Sequence, residues 1–139
     1  MGYILDAVIG KRDEIKKSFK SEEAFIIELP NEFLMIPLKS DFLKKINIAN
    51  DENLESNMIQ WLSIKSNNST FALISAEFFG GVGGQTAWLF ENGLIIKDFP
   101  FQPNAINNVL ELLGLERSMT EDQFDLIGLS KHRDTENWK

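Results

Sequence analysis

The chain has 139 residues, 14 basic against 21 acidic side chains, and a net charge of −7. Such a balance argues against a phosphate-neutralising surface, so nucleic acid is not an expected partner; it suits a basic partner by electrostatic steering, and it also serves plain solubility. Cysteine is absent and His132 is the single histidine, which excludes disulfides and leaves no zinc-ligand set.

No apolar run approaches the roughly 18 residues that span a bilayer, and FALISAEFF is interrupted by Glu77. The opening MGYILDAVIGKRDE has neither a basic start nor a long apolar stretch, so a secretory signal is not expected. Asp6 stands where a myristoylation signal carries Ser or Thr. A cytoplasmic protein with no membrane partner is the expectation. The length suits one domain over 1–139, with 128–139 read as an extended tail.

Taken in order, residues 3–9 (YILDAVI) read as a strand, and Gly10 separates them from a charged helical segment at 11–20 with Ile15 and Phe19 four apart. The apolar runs 24–29 and 33–38 flank Pro30-Asn31-Glu32, a strand–turn–strand pattern that Pro37 ends or places at an edge. Ser40 reads as the N-cap of a short helix presenting Phe42, Leu43 and Ile46. Leu54, Met58 and Leu62 give helical spacing over 54–65.

The stretch 70–99 reads as three consecutive strands. Phe71, Leu73, Ser75, Glu77 and Phe79 share one face of the first, and Ala72, Ile74, Ala76 and Phe78 the other. A glycine-rich loop, GGVGG at 80–84, follows. Asn92-Gly93 then signals a type I′ hairpin, in which Glu91 faces Leu94, Leu89 faces Ile96 and Ala87 faces Asp98. This register puts Glu91 and Asp98 on one face. Asn104 opens a helix that Gly114 ends, and Thr120 with Gln123 forms a capping box for a short helix over 120–127.

No catalytic constellation stands out. GGVGG lacks the lysine of a phosphate-binding loop and joins strand to strand, so its glycines read as a backbone solution; alternatively they let a ligand or partner approach, with Gln85 as the polar contact. Glu77 interrupts an apolar strand, the setting in which burial turns a carboxylate into a general acid; the plainer reading is a strand-end carboxylate reaching water. Glu91 and Asp98 lie too far apart for an acid–base pair. His132 sits among Arg133, Asp134 and Glu136, which reads as a solvated or ion-paired segment, and Trp138 as its anchor to the body.

Four segments, AVIGKRDEI (7–15), LPNEFLMIPL (29–38), AEFFGGVGGQ (76–85) and IGLSKHRDTENW (127–138), resemble those of small standalone bacterial proteins of the toxin–immunity type. The resemblance implies a non-enzymatic α+β protein that binds and neutralises a cognate toxin. It carries over no functional residues.

The expected fold is a single α+β domain: a mostly antiparallel sheet with a central three-strand meander, packed against several helices. The expected function is an intracellular immunity protein with no cofactor and no metal, acting as a monomer or homodimer on a toxin with a basic surface. The candidate contact residues are Glu77, Gly81, Gly83, Gln85, Glu91, Asp134 and Glu136. Two alternatives remain. In one, a small-molecule-binding protein or small enzyme uses a pocket beside the glycine-rich loop and Glu77, joined by Gln85 and His132. In the other, Trp88 and Phe90 form a homodimer surface.

Overall fold

The structure, a computed structural model, describes residues 2–20, 25–79, 82–131 and 134–138. Among them six strands form one antiparallel sheet in the order β2-β3-β1-β4-β5-β6: β1 (Gly2–Lys11), β2 (Ile27–Leu29), β3 (Phe33–Pro37), β4 (Thr70–Phe79), β5 (Val82–Glu91) and β6 (Leu94–Gln102). Five helices cover it: α1 (Arg12–Ser18), α2 (Ser40–Lys45), α3 (Leu54–Lys65), α4 (Ala105–Leu112) and α5 (Gln123–Leu126). This is the expected α+β domain. The meander β4-β5-β6 runs from the middle of the sheet to its edge, and β1 shares the middle with β4.

The two middle strands are apolar on both faces because both faces are covered. Leu5, Ala7, Ile9, Ala72 and Ile74 point to the side where α4 lays Ala105, Ile106, Val109 and Leu110. Val8, Phe71 and Leu73 point to the other side, where α1, α2 and α3 contribute Ile15, Phe42, Leu43, Met58 and Leu62. Each large side chain taken into these cores contributes roughly 1.5–3 kcal/mol.

Local signals set most element ends. Asn92 and Gly93 have φ of 52° and 83°, the left-handed pair of the expected type I′ turn. Gly114, at φ 104°, ends α4 in a Schellman motif: its N–H donates to the Glu111 carbonyl, and the Leu115 N–H donates to that of Leu110. Two cap assignments change. Ser40 is the first residue of α2 rather than its N-cap, and its amide donates to a Glu136 carboxylate oxygen at 2.9 Å. The short helix α5 is capped by Asp122, whose side chain accepts from the Asp125 amide, and not by a Thr120–Gln123 box.

The hairpin register changes too. Glu91 pairs with Leu94 and Phe90 with Ile95, but a β-bulge then intervenes, so Leu89 pairs with Lys97, Trp88 with Asp98 and Ala87 with Phe99. One extra residue in β6 reverses the faces beyond it. Asp98 therefore shares a face with Trp88, and Glu91 lies on the opposite one.

The described residues of the segment read as a tail pack on the body. Trp138 is buried in the α4-side core. Residue Asp134 forms a parallel bridge with Ile4, continuing the position that β3 leaves vacant beyond Pro37. Thr135 Oγ1 accepts from the Asp6 amide at 3.1 Å.

Candidate functional site

The helices on the α1–α3 side stop short of the far end of the sheet. They cover Val8, Phe71, Leu73 and Phe90, but β4 continues on the same face with Ser75, Glu77 and Phe79. Beside these stand Asp6 and Ile4 of β1, and Thr86, Gly84 and Val82 of β5. Here apolar side chains meet water: Phe79 is 52% exposed, Val82 77% and Phe101 63%. Phe101 reaches this face because Gly84 has no side chain; a Cβ there would stand 2.7 Å from the Phe101 ring.

The patch is acidic. Asp6 is half-buried, and its carboxylate accepts from the Ser75 hydroxyl at 2.7 Å. Burial pushes the Asp6 carboxyl above the usual carboxylate range; the Ser75 hydrogen bond opposes that shift, and the nearby Glu77 charge adds to it. Asp134, Ile4, Glu77 and Gly84 occupy successive positions of one cross-strand row, so Asp134 and Glu77 stand on either side of Ile4, and the Asp134 carboxylate accepts from the Glu136 amide at 3.0 Å. Beside Asp6 opens a cavity of about 170 Å³, walled by Leu38, Met58, Leu73 and Trp88 and edged by Asp51, Glu52 and Glu55. No lysine or arginine lines it among the described residues.

Of the residues singled out in the sequence, the structure brings Glu77 and Asp134 together here, and Gly83 lies beside them. Gly83, in β5 opposite Phe78, has φ 148°, and a Cβ on it would sit 1.9 Å from the Glu77 carbonyl oxygen, so it serves the close approach of the β4 and β5 backbones. Gly81 and His132 lie outside the described residues.

Three other residues are committed elsewhere. Gln85 is 6% exposed on the opposite face, where its Oε1 accepts from the Ile106 amide at 2.8 Å and anchors the start of α4. Because Glu77 and Gln85 point to opposite sides of the sheet, the expected pocket does not join them. Glu91 accepts from the Thr70 hydroxyl at 3.0 Å, opposite Thr70 and about 24 Å along β4 from Glu77 at the rise of an extended strand. Glu136 spends its carboxylate on the Ser40 amide and hydroxyl. Phe90 is fully buried in its own core, so it offers no dimer surface, and Trp88 is half-buried against that core.

Asp6, Phe79 and Phe101 were missed. Asp6 carries the same signal as Glu77, a lone carboxylate in an apolar strand, within YILDAVI. Nothing local marks Phe101, which joins the patch only through the β5–β6 pairing. Among the described residues, no three or more His, Cys, Asp or Glu side chains are grouped to hold a metal ion.

Fold and site define an α+β protein whose helix-covered antiparallel sheet is left open over one acidic, aromatic end. In comparisons with known proteins, no family model, no curated protein and no solved structure matched the chain.

Proposed function

We propose that this chain is a non-enzymatic binding protein of the immunity type, which neutralises a cognate toxin by covering a basic surface of it with the open end of the sheet. The observation that carries the reading is the juxtaposition of exposed Phe79, Val82 and Phe101 with the Asp6–Glu77 pair on one rigid sheet face. Apolar anchors ringed by one sign of charge are the usual make-up of an interface hot spot. Asp6 and Trp88 beside the small acidic cavity would receive a lysine or arginine side chain, ion-paired to the carboxylate and packed on the indole. The net charge of −7 would steer such a partner in. The resemblance of AEFFGGVGGQ to immunity-type proteins points the same way.

Co-purification with the product of the adjacent gene at low salt tests this. The expected outcome is a stable complex, weakened at least tenfold by pairing Glu77→Lys with Phe101→Ala, the scale of about two lost anchor contacts. A partner that fails to bind at low salt, or that binds the double variant equally well, would sink the proposal.

A further inference from the structure

The cavity beside Asp6 carries its negative charge at two depths. Asp6 is half-buried on β1, whereas Asp51, Glu52 and Glu55 are exposed at the edge, on the loop before α3 and its first turn. Between them the walls are apolar, with Leu38, Met58, Leu73 and the Trp88 indole.

Two observations point to an occupant. Asp6 Oδ1 accepts from the Ser75 hydroxyl at 2.7 Å, but no donor among the described residues reaches Oδ2, and that oxygen is open to solvent. Nor does any of the four carboxylates have a lysine or arginine within ion-pair distance among the described residues. Asp51 is partly engaged, since its Oδ1 accepts from the Asn53 amide at 2.8 Å. A carboxylate partly withdrawn from water against apolar side chains loses solvation that a cation beside it restores.

Charge and size narrow the ligand. An anion would be repelled by all four carboxylates. A bare metal ion would need several ligands grouped around it, and among the described residues no such group exists. The volume of about 170 Å³ lies below the range of drug-sized sites. At about 30 Å³ for each water-sized group, it holds roughly six heavy atoms. We infer that the cavity binds a short α,ω-diamine in its doubly protonated form. One ammonium bonds to Asp6 Oδ2, the methylenes lie against Trp88 and Met58, and the second ammonium meets the edge carboxylates. The inference concerns the chain alone and does not rest on the toxin-binding reading; a basic side chain of a toxin would displace the diamine from the same cavity.

Amide chemical shifts of the whole chain under titration with 1,4-diaminobutane test it, with butylammonium, 1,4-butanediol and Nα-acetyllysinamide as comparison probes. Saturable shifts at Asp6, Met58, Ser75 and Trp88 are expected with the diamine, severalfold weaker binding with butylammonium, and none with the diol. Asp6→Asn keeps an acceptor for Ser75 and should weaken diamine binding about tenfold or more, the effect of losing a charge-assisted hydrogen bond. Glu52→Gln combined with Glu55→Gln should weaken it severalfold, to the level of butylammonium. Should Asp6→Asn fail to fold, that exposed pair decides in its place. Unsaturable shifts spread over the acidic surface, butylammonium binding as tightly as the diamine, or affinity unchanged in the variants would overturn the proposal. Tighter binding of Nα-acetyllysinamide would overturn it too, by assigning the cavity to a partner's lysine.

Discussion

The two ends of the α1–α3 face are built on the same strands and meet opposite surroundings. At one end Val8, Phe71, Leu73 and Phe90 disappear beneath α2 and α3. At the other, Asp6, Ser75, Glu77 and Phe79 continue the same rows into water. A strand gives its residues one rigid alignment wherever they lie along it, so the covered end holds the open end in place. Stability is concentrated under the helices, and the open end is free to carry groups that a core would reject, such as a desolvated carboxylate beside a second one. The contrast says where an interface can sit on a fold this small without weakening its core.

The largest expected effect separates the ends directly. Phe90→Ala, in the covered end, should cost about 3–5 kcal/mol in urea unfolding, the usual loss for truncating a buried aromatic. Phe101→Ala, at 63% exposure on the open end, should stay within about 0.5 kcal/mol of the parent. Similar losses for the two would break the distinction.

A smaller loss is expected on the opposite face. Gln85→Leu leaves the Ile106 amide without its acceptor at the start of α4, which should cost about 1–3 kcal/mol by the same measurement. A neutral result would mean that α4 does not depend on this anchor.

The smallest effect has the opposite sign. Because the folded-state Asp6 carboxyl is raised, the fold prefers it protonated, so its ionised form at neutral pH counts against stability. That penalty fades as pH falls through the raised folded value and is gone below the unfolded value of about 3.9. Asp6→Asn keeps an acceptor for Ser75 and should raise the thermal midpoint at pH 7, with a gain that shrinks on acidification to about pH 4. A gain that is constant with pH would show that ionisation of Asp6 is not its source.

Much of the fold was legible in the sequence. Alternation assigned the two faces of β4 correctly, and Asn92-Gly93 and Gly114 marked a turn and a helix end through backbone conformations that few residues adopt. The candidate site was less legible. Glu77 stood out as a charge in an apolar run, but its neighbour Asp6 lies 71 positions earlier and meets it only through the β1–β4 pairing. Gln85 looked like a free polar contact next to a glycine loop. Its strand phase turns it inward, where an α4 amide takes it up.

What the sequence by itself determined is the list of elements, their local ends, the apolar stripes that had to be covered and the acidic balance, because these follow from spacing, propensity and counted charge. Tertiary structure decided which stripe each helix covers. The β5–β6 bulge moves Asp98 to the face of Trp88, and the segment at 134–138 fills the vacancy beside β1. These choices depend on contacts between residues far apart in the chain, and a one-residue shift in pairing changes which side chains meet water.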